Sequence, residues 1–291
     1  MSDPRATSDP PSTSAAPSAN QLLTCDGDTL LCRHWPAPDQ GISGVAREPR
    51  TWLLVHGLGE HSGRYLALAE WLQARGDTVH AYDQRGHGLS SGSRGHIAHP
   101  LQLVEHLVEV IEGLATPIHL FGHSLGGLVA ASAVSRGLIQ PRALVLSSPA
   151  LALPLRTWQK WAVTLLPKLA PNLTLANGLD AEQLSHDPEV VQAYRADPLV
   201  HDRISARLGQ FLATEGERVR AQASNWSLPT LLLFAGADRL VDPNGSREFQ
   251  ARAPTQHVRA REFADLRHEI FNELARQDVL TALEDWLLAS D

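Results

Sequence analysis

Short unbroken apolar runs recur from residue 51 onward, and each is followed by a stretch with helical spacing. Trp52-Leu53-Leu54-Val55 is the first; residues 117–121, 143–146 and 231–234 repeat it, with 78–82 and 258–263 as further strands. An apolar run without polar alternation has no face to offer water. It must be covered on both sides, which is the signature of a parallel sheet between helical layers. Helices are expected over about 64–75, stopped by Gly76, over 101–114, from 125 to Arg136, near 244–253 and over 277–289. This alternation predicts an α/β fold with an open, mostly parallel central sheet flanked by helices on both faces. Ahead of it, Leu22–Cys25 and Thr29–Trp35 read as a hairpin around Asp26-Gly27.

The rhythm breaks over residues 151–225. Leu151–Leu155, Trp158, Trp161, Leu165, Leu166, Leu169 and Leu173 are followed by a more polar helical stretch. Crossover helices are one explanation. About 75 residues between neighbouring strands exceeds ordinary connections, which favours a helical cap inserted over the sheet. The core is then residues 21–150 and 226–291. Its Trp- and Leu-rich 151–175 stretch either lies on a lipid surface, in transient membrane contact, or packs inside the cap.

Residues 1–20, rich in Ser, Pro and Asp, read as a disordered tail. They lack the apolar segment of a signal peptide, and no apolar run reaches a membrane-spanning length, so a cytoplasmic location is expected. Two cysteines, Cys25 and Cys32, exclude a disulfide scaffold; they flank a turn, and reduced, half-buried thiols are expected rather than a bridge. The net charge of −7 argues against nucleic acid as a partner.

Gly122-His123-Ser124-Leu125-Gly126 joins an apolar strand to an Ala-rich helix. In that setting G-x-S-x-G forms a sharp turn that exposes the serine Oγ above a helix N-terminus. A serine hydroxyl needs a base, and the base needs an orienting acid, in the chain order Ser, Asp or Glu, His. Asp238 follows the 231–234 strand and is the expected acid, with Asp242 its competitor. His268 follows the last strand and is the expected base; His257, the other histidine downstream of Asp238, starts a strand and so lies at the wrong edge. The Gly-rich loop His56-Gly57-Leu58-Gly59 can place the Leu58 N–H beside that of Leu125, as an oxyanion hole. Three other chemistries are set aside. Asn272 stands where a zinc-protease helix starting at His268-Glu269 needs its second histidine. The pair His96 and His99 has no third ligand, and no G-x-G-x-x-G follows a strand. Neither a metal nor an organic cofactor is expected.

The runs 56–65 (HGLGEHSGRY), 83–90 (DQRGHGLS), 122–127 (GHSLGG), 146–150 (LSSPA), 236–242 (GADRLVD) and 268–273 (HEIFNE) appear in one order. Together they resemble the monoacylglycerol lipase and lysophospholipase branch of the α/β-hydrolases. The resemblance implies Ser124 as nucleophile, Asp238 and His268 as its partners, and Leu58 and Leu125 as oxyanion donors. It further implies that Glu60, Arg64, His123 and the cap residue Tyr194 contact a glycerol head group. Where animal members carry a cysteine near the acid, this chain has Val241. The expected activity is hydrolysis of a small lipid ester, monoacylglycerol first. A lysophospholipase or short-chain carboxylesterase is the alternative within enzymes. A ligand-binding protein on the same fold would not need the complete Ser–Asp–His order.

Overall fold

The computed structural model describes residues 18–24, 26–38, 48–114 and 116–289. In chain order the strands are β1 (Ser18–Leu23), β2 (Thr29–Trp35), β3 (Thr51–Val55), β4 (Thr78–Tyr82), β5 (His119–His123), β6 (Ala143–Ser147), β7 (Thr174–Ala176), β8 (Arg203–Ser205), β9 (Thr230–Ala235) and β10 (Val258–Phe263). The helices are α1 (Leu66–Gln73), α2 (Gln102–Leu114), α3 (Leu125–Ser135), α4 (Thr157–Leu169), α5 (Pro188–Ala196), α6 (Ala206–Ala221), α7 (Pro243–Arg252) and α8 (Arg276–Ala289). One eight-stranded sheet has the order β1-β2-β4-β3-β5-β6-β9-β10. It is parallel from β4 to β10, and β1 and β2 run antiparallel at one edge.

The apolar runs divide between the two faces of this sheet with period two, as a pleated strand requires. Leu53, Val55, Leu120, Leu144, Leu146 and Leu232 enter one core layer, packed with α2, α3, α6 and α7. Trp52, Leu54, Phe121, Val145, Leu231 and Leu233 enter the other, with α1 and α8. The parallel strand ends carrying Val55, His123, Ser147 and Ala235 therefore converge on one edge of the sheet. Loops leaving that edge build the site.

Three sequence expectations need correction. Ser18, Ala19 and Asn20 are not tail but strand, paired with His34, Arg33 and Cys32; backbone pairing at a sheet edge tolerates their small polar side chains. Residues 1–17 and Cys25 lie outside the described residues, while Cys32 is a free, half-buried thiol. The region between β6 and β9 is also less uniform than a 151–225 cap. It includes a two-stranded ribbon, β7 with β8. Its last helix, α6, packs on α3 and α7 and buries Leu208, Phe211 and Val219 in the core layer of that face. α6 is thus the crossover helix of the sheet, and the insertion proper ends near residue 205. Its sequence hides this because its buried stripe includes Glu215, which accepts hydrogen bonds from Ser132, Arg136 and Arg218.

Candidate active site

The turn from β5 to α3 is closed on all sides by backbone. A side chain at Gly122 would meet the Gly126 carbonyl at 2.6 Å, and one at Gly126 would collide with the Val55 carbonyl. Only glycine fits, so β5, α3 and the end of β3 approach one another closely. Ser124, between them, has φ 53° and ψ −118°, a conformation that non-glycine residues rarely hold. It is pinned there by its N–H donating to the Ser147 carbonyl and its carbonyl accepting from Ala150 N–H, both at 3.0 Å.

His268 is buried in the turn after β10. Its Nδ1 lies 2.6 Å from Asp238 Oδ2. Asp238 Oδ1 accepts from the N–H groups of Leu240 at 2.8 Å and Val241 at 3.0 Å, so the whole carboxylate is fixed. Its competitor Asp242 instead caps α7 by accepting from Asn244 N–H. Burial alone lowers the pKa of His268, but the Asp238 charge and hydrogen bond, reinforced by Glu269 and Glu60, outweigh it and raise the pKa. With Nδ1 donating to Asp238, Nε2 is left as the basic nitrogen. The same turn is tied to the insertion, where Glu269 N–H donates to the Leu184 carbonyl at 2.8 Å and Arg267 to those of Glu182 and Ser185.

The loop after β3 is braced from the loop after β4. Gln84 N–H donates to His56 Nε2 at 2.8 Å, and His56 Nδ1 donates to the Gly57 carbonyl. Asp83 accepts from Ser62 and from Leu89 N–H. Leu58 and Leu125 line one pocket with Ser124 and His268. Neither N–H donates to another described residue; that of Leu125 opens α3 and has no intrahelical partner.

The four residues expected at the head group occupy two layers. Glu60, His123 and Tyr194 line the Ser124 pocket. Arg64 does not; it stands behind them, bidentate to Glu269 at 2.5 and 2.8 Å and bonded to Glu60 at 2.6 Å, with the Tyr194 ring 4.8 Å away. Glu60 accepts further from Gly57 N–H at 2.5 Å and Tyr65 Oη at 2.7 Å. Burial opposes its charge, yet Arg64 and these bonds hold its pKa below the usual carboxylate value. His123 Nδ1 meets Ser147 Oγ at 3.1 Å, and its ring packs 4.7 Å from that of His268. Burial and the nearby His268 push its pKa down to about 4, so it is neutral at pH 7.

Tyr65, Ser147 and Glu269 are therefore site residues that the sequence reading quoted without assigning. Each lies next to, or one helical turn from, an assigned residue, and that proximity is the signal available in the sequence. His96 bonds Asn172 and His99 reaches Glu105, so the two do not form a pair. Among the described residues only Asp26, Asp28 and His106 cluster as metal-binding types, and Gln102 and Arg85 already bond the carboxylates.

From Ser124 the pocket continues past Leu153, Leu179, Leu212 and Leu240 into a cavity of about 370 Å³ beneath α4. One face of α4, carrying Trp158, Ala162 and Leu166, roofs that cavity. Another carries Trp161, Leu165 and Leu169, which are 66%, 49% and 82% exposed.

Residues 48–275 match the family described as serine aminopeptidase, S33. The chain is 34% identical over 264 residues to a monoacylglycerol lipase of Mycolicibacterium smegmatis, covering 87% of this chain and 90% of that protein. It is 31% identical to a monoglyceride lipase of Rattus norvegicus, covering 91% and 89%. An abhydrolase domain-containing protein of Dictyostelium discoideum matches at 32% over 93% of this chain, which spans 29% of that longer protein. The crystal structure of a Paleococcus ferrophilus monoacylglycerol lipase superposes with TM-score 0.81 at 36% identity, over 90% of this chain and 99% of that one. The chain belongs to the serine aminopeptidase S33 family, has the α/β-hydrolase fold, and is a carboxylic ester hydrolase.

Proposed function

We infer that this chain hydrolyses monoacylglycerols to a fatty acid and glycerol through an acyl-enzyme on Ser124. The carrying observation is the 2.6 Å His268–Asp238 contact beside a strained serine, in a pocket that is leucine-lined except at one polar end. His268 Nε2 takes the Ser124 proton as Oγ attacks the ester carbonyl. The oxyanion lies against the Leu58 and Leu125 N–H groups. His268 then protonates the leaving glycerol, and water repeats the cycle on the acyl-enzyme. Asp238 stabilises the imidazolium that forms in each half-reaction. The acyl chain runs through the leucine-lined passage into the cavity beneath α4. Glu60, His123 and Tyr194 meet the glycerol hydroxyls, and Arg64 acts through Glu60 and Tyr194 as a positioning residue. The names of the bacterial and rat relatives support this substrate class.

α4 also carries the proposed contact with a lipid surface. A helix apolar on two faces is stable when both are covered, and here only one is covered by protein. The outer Trp161, Leu165 and Leu169 suit an interface, and the chain's only two lysines, Lys160 and Lys168, lie on the same helix. Among the described residues no helix is long and apolar enough to cross a membrane.

The test is a matched panel of mono-, di- and triacylglycerol, lysophospholipid and p-nitrophenyl ester, run with wild type and Ser124→Ala. Monoacylglycerol should be the preferred glyceride, and Ser124→Ala should lose about 10⁴-fold or more of the activity. Preference for triacylglycerol would overturn the substrate assignment. Substantial turnover by the purified variant would overturn the nucleophile.

A further inference from the structure

On the α1/α8 face of the sheet, separated from the Ser124 pocket by a shared wall, lies a second cavity of about 130 Å³. His123 and Glu269 line both. Its inner wall is polar but already satisfied: Glu269 holds Arg64 and accepts from Asn272 Nδ2 at 2.9 Å, and Ser147 bonds His123. Its middle is aromatic and aliphatic. Phe121 and Phe271 meet edge-on at 5.3 Å, Tyr65 meets Phe121 at 6.1 Å, and Leu68, Trp71 and Leu280 complete the walls. The Arg75 guanidinium, 3.5 Å from the Trp71 ring, holds that ring in place. At the rim stand two exposed residues, Ala67 and Arg276. Among the described residues Arg276 makes no ion pair or side-chain hydrogen bond.

Size and polarity specify what fits. An apolar cavity of about 150 Å³ accommodates benzene, so this one takes a single six-membered ring. The walls present ring edges and faces in the orientations that a further aromatic ring prefers. A charged group has no partner to find at the inner end, where every polar group is engaged. Its one free partner is the guanidinium at the mouth, whose planar fork matches a carboxylate. We propose that this cavity binds a small aromatic monocarboxylate, ring inward against Phe121 and Phe271 and carboxylate outward on Arg276. The occupant packs on the reverse side of the wall that faces the reaction.

Phenylacetate is the probe, titrated calorimetrically into the full chain. Saturable one-site binding is expected. Arg276→Glu, a change at an exposed position, should weaken phenylacetate by at least about tenfold while leaving neutral benzyl alcohol within about twofold. Ala67→Trp, which places a large side chain across the mouth, should abolish binding of both. Circular dichroism checks that each variant keeps its fold. Absence of saturable binding to wild type would overturn the proposal. So would phenylacetate affinity unchanged in both variants, the outcome expected if it entered the leucine-lined passage instead. None of these readouts uses ester turnover, so failure here is distinguishable from failure of the monoacylglycerol reading.

Discussion

The floor of the site and the helix above it are built on opposite principles. On the floor, nearly every polar group is held at least twice. Asp238 accepts from two amides besides His268, Glu60 from three donors, and Arg64 bridges two carboxylates. Ser124 is kept in a strained conformation by bonds on both sides of its peptide. α4 has no buried residue among those described, carries Pro167 within it, and leaves Leu169 82% exposed. The comparison separates two demands. Developing charge needs fixed dipoles, which a close-packed, fully bonded floor supplies. A variable acyl chain needs an adaptable apolar roof, which a loosely held helix supplies.

Substitutions can break or sharpen that contrast. Asp238→Asn should be the most damaging, costing about 10⁴-fold in kcat/KM with the fold retained, because the imidazole loses its orienting acceptor. In wild type, kcat/KM should rise with pH as His268 loses its proton, with a midpoint above histidine's ordinary value of about 6.5. In the variant, burial acts without the opposing carboxylate, so the residual activity should show a midpoint below that value. If Asp242→Asn were the crippling change, the acid would be misassigned.

Arg64→Ala should come next and act on stability. It leaves Glu60 and Glu269 buried without their cation, a loss of about 3–5 kcal/mol read by urea denaturation. Tyr194→Phe should cost about 1 kcal/mol in kcat/KM on monoacylglycerol and nothing on a p-nitrophenyl ester of equal acyl length. Equal losses would make Tyr194 a pocket wall and not a reader of glycerol. The smallest stability effect belongs to the helix above. Trp161→Ser should change unfolding free energy by less than about 0.5 kcal/mol while reducing binding to anionic vesicles. A large destabilisation would mean that the outer face of α4 is packed after all.

How much of this was legible in the sequence follows the same division. The sheet was readable because Trp52–Val55, Leu144–Leu146 and Leu231–Phe234 leave no polar alternation, and both faces prove to be covered. Ser124, Asp238 and His268 were readable because each follows a strand on the edge where parallel strands end. The two roles within the Glu60–Arg64 pair were not, since i,i+4 charges look alike whether exposed or buried. Only the approach of Glu269, 205 positions away, decides it. α6 was misplaced for a related reason: Glu215 and its arginines make a buried helix face read as solvated.

The hydrogen bond from Glu269 N–H to the Leu184 carbonyl has a consequence for engineering. The segment carrying His268 hangs partly from the insertion, through 182–185, and not from the sheet alone. Exchanging the roof between relatives to change acyl preference is therefore safe only if the graft leaves residues 182–185 native. A chimera cut on the sheet side of them should inherit a new pocket together with a displaced proton acceptor. One that retains them should inherit the pocket alone.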